Sequence, residues 1–320
     1  MKAIRIHDFG GPEVLRLEDI ERPTPASDEI LVRVYASGVN PVDWAIREGG
    51  NDVLRPHLHL PMTLGCDMAG VVEAVGGDVT EFAPGDEVYG VPNFLQDGSY
   101  AEYCSARAGQ FARKPKTISF AQAAAVPLAA LTAWTGLYPD GKLQAGERVL
   151  ITGASGGVGS FAVQFAKASG AYVIGVASTD NLDYLRETGA DEVIDYRTQA
   201  VEEATGDIDL ILEVSPLRDN EARLRAIGAL KSGGRLVSVN VDFPFDDAVN
   251  AALRAKDATG KLSQNQPNGA FLTEIATLID DGKVTVHVSE TFPLEAAAQA
   301  HEISANWHTR GKLVLAVSKS

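Results

Sequence analysis

Apolar and polar positions change their rhythm once along the chain. Over the first 120 residues short apolar runs alternate with Gly- and Pro-containing turns: Ile30 to Tyr35, Ala69 to Val75, Glu87 to Val91 and Ala101 to Ser105. Such spacing predicts strands of an antiparallel or barrel-like unit. From about Ala121 onward strands and helices alternate instead. The run Val149-Leu150-Ile151-Thr152 ends in glycines, and Val158, Ala162, Phe165 and Ala166 then recur at helical spacing. Strand patterns follow over 172–177, 193–196, 207–214 and 235–240, and helix patterns over 181–187 and 221–230. Strand, helix, strand repeated in this way predicts a doubly wound parallel sheet with helices on both faces, over 121–266. The last stretch offers helices near 271–279 and 294–304 and a strand over 312–317. It is too short for a domain of its own and is expected to return to the first, so that 1–120 and 267–320 make one β-rich domain.

With 320 residues, 45% of them hydrophobic and 22% charged, the chain has an ordinary globular composition and room for two cores. Lys and Arg number 28 against 43 Asp and Glu, a formal charge of −15. The basic footprint of a nucleic-acid or anionic-membrane binder is therefore missing, and no nucleic-acid partner is expected. Cys66 and Cys104 are the only cysteines, too few for a disulfide framework or a four-thiolate zinc lobe. Together with an N-terminus lacking an apolar signal core, they point to a reducing, cytoplasmic setting. The longest Ala/Leu-rich stretch, Ala121 to Leu137, is interrupted by Gln122 and Pro127 and falls short of the roughly 20 apolar residues of a membrane helix.

The segment Gly153-Ala154-Ser155-Gly156-Gly157-Val158-Gly159 follows an apolar strand directly and opens an apolar helix. That context suits a dinucleotide loop, in which a tight turn brings backbone N–H groups and the positive helix end to a pyrophosphate. The spacing, GxxGxxG, is a variant of the usual fingerprint. Cofactor choice depends on the end of the second strand, where an acid would hold the ribose 2′-hydroxyl. The residues there, Gly175-Val176-Ala177-Ser178-Thr179, contain no acid. Asp180 follows, and reads either as a ribose ligand or, with Asp183, as a first-turn acid of the next helix. Ser178 and Tyr196 are suited to hydrogen-bond a phosphate, and NADPH is expected over NADH.

Beyond this loop, several segments resemble one family along the whole length. They are Ala36-Ser37-Gly38-Val39-Asn40-Pro41-Val42-Asp43, Leu64-Gly65-Cys66-Asp67-Met68-Ala69-Gly70-Val71-Val72, Pro84-Gly85-Asp86-Glu87-Val88, Gly98-Ser99-Tyr100-Ala101-Glu102-Tyr103, Leu131-Thr132-Ala133, Gly189-Ala190-Asp191 and Gly233-Gly234-Arg235. With the glycine loop they resemble the zinc-independent medium-chain dehydrogenase/reductases of the quinone oxidoreductase, zeta-crystallin-like, type. The resemblance implies an α/β protein, a Rossmann domain joined to a GroES-like β-rich catalytic domain, with the active site in the cleft. It further implies hydride transfer from NADPH to quinones or α,β-unsaturated carbonyls, and a homodimer.

In the zinc alcohol dehydrogenases of the same superfamily, the first cysteine ligand would fall at Asn40 and a histidine ligand at Cys66. Asn is a poor zinc ligand, and no metal site is expected. Without a Lewis acid, conjugated acceptors are easier substrates than alcohols, because they spread the incoming charge onto oxygen. Asn40, which by resemblance sits beside the nicotinamide and so is also a cofactor residue, is the first catalytic candidate: either its amide donates to a developing enolate oxygen, or it only tolerates the turn before Pro41. Thr132 lies near the cofactor by resemblance, or is a plain helix position. Tyr100 and Tyr103 offer phenolic protons, or simply alternate in an amphipathic strand. Asp43 is read as holding loop structure. Asn240, at the end of the 235–240 strand, joins the glycine loop, Ser178 and Tyr196 as a cofactor residue. His7, His287, His301 and His308 show no mutual spacing and are read as structural.

Two departures from the family stand out. Glu213-Val214-Ser215-Pro216 replaces a Gly-Gly pair that many relatives have, and no Lys follows the second strand to pair a 2′-phosphate. Arg197, Arg310 and Lys312 are the candidates to substitute. An enoyl thioester reductase and a non-catalytic NADPH-binding protein are the alternative readings, since a fold does not fix a function.

Overall fold

The computed structural model describes residues 1–51, 54–92, 95–307 and 309–318; His308 lies outside the described residues. The chain divides into two compact units, Met1–Leu131 with Pro267–Ser320, and Thr132–Gln266. The division falls after residue 131 and not at 120. The chain enters the first unit through β1 (Lys2–Ile6), β2 (Arg16–Asp19) and the long β3 (Glu29–Val39), followed by helix α1 (Pro41–Arg47). Strands β4 (Met62–Thr63), β5 (Met68–Val75), β6 (Glu87–Gly90), β7 (Tyr103–Arg107) and β8 (Phe111–Arg113) come next. Two helices close the stretch, α2 (Phe120–Ala124) and α3 (Pro127–Thr135). Residues 121–131 share one Ala-rich pattern with 132–137, yet α2 packs on β3 and β5 and so belongs to the first unit. Ser119 starts it with a capping box, its hydroxyl accepting from the Gln122 N–H at 3.2 Å.

The second unit is strand and helix in strict alternation. Its elements are β9 (Arg148–Thr152), α4 (Gly157–Ala168), β10 (Tyr172–Ala177), α5 (Leu182–Glu187), β11 (Glu192–Asp195), α6 (Val201–Ala204), β12 (Ile208–Glu213), α7 (Asn220–Gly228), β13 (Leu230–Ser238), α8 (Asp247–Ala255) and β14 (Thr259–Leu262). All six strands are parallel, in the order β11-β10-β9-β12-β13-β14. Numbered within the unit this is 3-2-1-4-5-6, the Rossmann arrangement, with its switch point between β9 and β12. Apolar β-branched runs suit strands buried on both faces; Leu150, Ile174, Ile211, Leu236, Val249 and Leu253 share one core. The 221–230 helix pattern ends earlier than its spacing suggests, because Leu230 already pairs with Ile208. β13 then runs through Gly233-Gly234, where the register slips before Arg235 pairs with Leu210.

The chain returns to the first unit as α9 (Gly269–Asp280), β15 (Val288–Pro293), α10 (Ala297–Ala305) and β16 (Lys312–Ala316). β15-β16-β3-β5-β6-β8 form the main sheet, and β7 also pairs with β3. β3 outruns its predicted 30–35 span because β16 pairs with its second half, Ala36 to Val39. One core of this unit lies among Ile30, Val32, Val34, Met68, Val72 and Val88. Another joins the chain ends, with Ile4, Ile6 and Ile46 against Phe292, Leu294, Leu313 and Leu315. Each such side chain contributes roughly 1.5–3 kcal/mol when fully buried. Among the described residues no helix is long and apolar enough to cross a membrane.

Glu213, at the end of β12, is clamped by the buried Arg223 of α7, whose Nη2 donates to Oε2 at 2.8 Å and Nε to Oε1 at 3.1 Å. The guanidinium is also flanked by the Phe243 and Phe245 rings beyond β13. Removing one partner strands a buried charge, which costs about 3–5 kcal/mol. Arg223→Met is therefore expected to lower unfolding stability by about 3 kcal/mol in urea titration, and adding Glu213→Met to recover part of that loss.

Candidate active site

In the second unit the glycine loop lies at the carboxyl ends of β9 and β12, the switch point of the sheet. Gly153 has φ +65°, and a Cβ there would stand 2.9 Å from the Ser215 backbone. A Cβ on Gly159 would lie 2.3 Å from the Gly153 carbonyl, so only glycine lets α4 start so close to the turn. Gly156 is the N-cap of α4 and makes no side-chain cap, so Gly157, Val158 and Gly159 carry the helix's first N–H groups. Ala154 and Ser155 complete the turn. This is a cradle fitted to a pyrophosphate by its backbone donors and the helix dipole.

Further along the same edge, Ser178 accepts from Asn181 Nδ2 at 3.1 Å and Tyr196 is 54% exposed. Thr179 donates to the Asp195 carboxylate at 2.5 Å, and the Arg197 backbone N–H donates to the same group at 3.0 Å. These bonds hold the Asp195 carboxyl below its ordinary range. Asp180 sits in the short 3₁₀ turn before α5, with Arg197 Nη1 3.5 Å away. Arg197 thus stands beside the end of the second strand. Asn240 is buried, donating to the Ser215 carbonyl at 2.9 Å, and ties the ends of β12 and β13 together. Thr132 accepts from Asn265 at 2.6 Å.

Asn40 and Tyr100 come together in the first unit around the buried Asp43. Asn40 ends β3 and caps α1: Asp43 accepts its backbone N–H at 2.8 Å, with Pro41 as the first helical residue. The Asn40 side chain, 3% exposed, points elsewhere. Its Nδ2 donates to Asp67 Oδ2 at 2.8 Å, and its Oδ1 accepts from Lys312 Nζ. Lys312 also donates to the Val39 carbonyl at 3.0 Å and lies 3.3 Å from Asp67 Oδ2. Asp67 Oδ1 accepts from the Leu128 N–H at 2.7 Å, while its carbonyl takes the Ser37 and Ser99 hydroxyls, each at 2.7 Å. Asp67 and Lys312 are 0% and 5% exposed. Lys312 is therefore committed to this cluster, and of the candidates for a phosphate partner Arg197 is the one on the dinucleotide edge.

Tyr100 has no exposed surface. Its hydroxyl donates to Asp43 Oδ2 at 3.2 Å and meets His301 Nε2 at 3.1 Å, while His301 Nδ1 faces Arg47 Nη1 at 3.3 Å. Arg47 can only donate, so Nδ1 accepts and the imidazole proton lies on Nε2. Donation runs one way, from Arg47 through His301 and Tyr100 to Asp43. Burial, reinforced by Arg47, lowers the His301 pKa to about 3. Burial raises Asp43 to about 6, against the pull of the Cys66 thiol and the Asn40 N–H. It also pushes the Cys66 thiol and the Tyr100 phenol well up.

Asp67, Lys312 and His301 are the residues of this cluster that periodicity leaves unmarked. The available signal is a charge inside an apolar strand pattern, Asp67 before Met68-Ala69-Gly70 and Lys312 before Leu313-Val314-Leu315, since buried charges need partners. Among the described residues no group of three or more His, Cys, Asp or Glu side chains is placed to hold a metal ion.

A dinucleotide cradle on a Rossmann sheet, in one chain with a β-rich unit built from both chain ends, defines an oxidoreductase of the medium-chain class. Residues 26–126 match the alcohol dehydrogenase GroES-like domain and residues 188–315 the zinc-binding dehydrogenase domain. Pig quinone oxidoreductase is 35% identical over 98% of this chain and 97% of its own length. The quinone oxidoreductase of Coxiella burnetii superposes with a TM-score of 0.91 at 33% identity, over 99% of each chain. That of Escherichia coli, solved in complex with NADPH, gives 0.87 at 30% identity, over 99% of this chain and 100% of the other. The chain belongs to the zeta-crystallin-like quinone oxidoreductase family.

The raised Asp43 pKa fixes a pH dependence. Between about pH 4 and pH 6 the folded state holds a proton on Asp43 that the unfolded chain has released. This group's contribution to stability is thus full below about pH 4 and is lost as pH rises through 6. Asp43→Asn removes that term. The wild-type minus variant difference in unfolding free energy is expected to fall by roughly 2 kcal/mol from pH 4 to pH 6.5, measured by urea titration at each pH.

Proposed function

We propose that the protein is an NADPH-dependent reductase that delivers hydride to quinones or α,β-unsaturated carbonyls without zinc. The observation that carries this reading is the Asn40 carboxamide, buried and held at both ends by Asp67 and Lys312. Bound NADPH supplies the hydride. Asn40 donates its second amide hydrogen to the acceptor oxygen as negative charge develops there, while solvent supplies the proton that completes reduction. Thr132, by its family resemblance, lies against the cofactor. Tyr100 keeps α1 and the Asn40 backbone in place through Asp43. The glycine loop receives the pyrophosphate, and Ser178, Tyr196 and Arg197 receive the 2′-phosphate, with Asp180 yielding its pairing with Arg197. The Escherichia coli relative's complex with NADPH supports the same cofactor choice.

The residues that would face a catalytic zinc do not suit one. Asn40 stands where a thiolate would, and the ammonium of Lys312 already occupies the cationic place beside Asp67. The zinc-binding dehydrogenase match covers 188–315 and so includes neither Asn40 nor Asp67. The expected setting is cytoplasmic, from the two free cysteines, and the expected assembly a homodimer, by family resemblance.

Dihydronicotinamide oxidation with a quinone, an enone and a simple aldehyde, with and without EDTA, tests the reading. Turnover of quinone or enone, faster with NADPH and unchanged by EDTA, is expected. Loss of activity in EDTA overturns the zinc-free mechanism, and binding without turnover favours a non-catalytic NADPH-binding protein. A preference for enoyl thioesters over all three would instead favour the thioester reductase. Arg197→Ala is expected to raise KM for NADPH about tenfold or more while leaving KM for NADH nearly unchanged.

A further inference from the structure

We propose that Lys312 and Asp67 are positioning residues that lock the Asn40 carboxamide in one of its two flip states, so that one amide hydrogen always faces the substrate. The inference rests on the reading of Asn40 as the donor to the acceptor oxygen. A carboxamide turned by half a circle exchanges an acceptor for a donor pair at nearly the same positions, so packing alone does not select between the two states. Here the partners select. The Lys312 ammonium has only hydrogens to offer and requires Oδ1 opposite it, and the ionised Asp67 carboxylate only accepts and requires Nδ2. A flipped amide would set donor against donor and acceptor against acceptor, and would forfeit two charge-assisted bonds at once.

Neither partner is free to adjust. Lys312 is anchored on the Val39 carbonyl at 3.0 Å, and Asp67 on the Leu128 N–H at 2.7 Å with its carbonyl held by Ser37 and Ser99. Asp43 fixes the Asn40 backbone. With Nδ2 giving one hydrogen to Asp67, its second hydrogen has a single direction. The pair is not needed to staple β16 to β3, because the ladder from Leu313 opposite Val39 to Ala316 opposite Ala36 already does so. Apolar side chains would serve as a staple without the cost of burying two charges. What an ion pair adds is polarity at the two ends of one amide.

The double variant Lys312→Met/Asp67→Asn leaves no buried charge without its counter-charge and is the first protein to measure. Its kcat with a quinone is expected to fall about tenfold or more, with KM for NADPH within about twofold of wild type. Asn40→Ala should lose kcat to a similar degree, and the triple variant no more than Asn40→Ala alone, because the pair acts only through that amide. Lys312→Gln, which keeps a donor toward Oδ1, should retain more kcat than Lys312→Met and serves if the double variant does not fold.

An unchanged kcat in the double variant, or full additivity with Asn40→Ala, overturns the positioning role. So does a Lys312→Gln protein no better than Lys312→Met. A normal kcat in Asn40→Ala is a different failure, because it removes the donor reading itself and the positioning role with it.

Discussion

Asp67 is a carboxylate with no solvent contact, and the first unit is arranged around satisfying it. Its side chain takes donors from Asn40 at the end of β3, Leu128 in α3 and Lys312 at the start of β16, and its carbonyl takes Ser37 and Ser99. Those partners are scattered along the chain from residue 37 to residue 312. A buried charge left with fewer partners would cost several kcal/mol, so the orientation of the Asn40 amide and the place of the Lys312 ammonium are settled by one requirement. The same anion draws in Lys312, whose ammonium lies 3.3 Å from its Oδ2.

Beside it lies a second buried polar chain with a different task. Arg47, His301 and Tyr100 pass hydrogen bonds in one direction to Asp43, which also accepts the Asn40 backbone N–H. Their burial separates the two titrating groups, leaving His301 neutral down to about pH 3 while Asp43 takes a proton near pH 6. Stability therefore gains from His301 and loses from Asp43 over much of the mildly acidic range as pH rises, and the two effects partly offset. The two networks converge on one asparagine, one through its main chain and the other through its side chain.

The second unit solves a simpler problem. Parallel strands with helices on both faces leave their carboxyl ends as a row of loops, and close approach there is possible only where side chains are absent. Gly153 and Gly159 supply that absence at the switch point. Ser178, Tyr196, Arg197 and Asn240 occupy the same edge because each follows the end of a strand. The Glu213–Arg223 pair ties the end of β12 to α7, with the guanidinium against the Phe243 ring beyond β13.

Local pattern was enough to read the alternating unit, its glycine loop and a doubly wound parallel sheet, because those features depend on neighbours in sequence; the strand order came only from the fold. It was also enough to read that the C-terminal stretch could not stand alone. The strands of the first unit were harder to read. β3 gains its second half from pairing with β16, and with β5 at Ala36, while Ala36-Ser37-Gly38 has little strand preference of its own. At the site, Asn40 and Tyr100 stood out through their motifs, but Asp67, Lys312 and His301 became legible as a cluster only in the folded unit. Lys312 lies 272 residues from Asn40 and 245 from Asp67, and nothing local records which buried charge will find which partner. Periodicity reports which face of an element is buried. The pairing of charges inside the core is decided by the low dielectric of the folded interior, which exists only after distant strands have met.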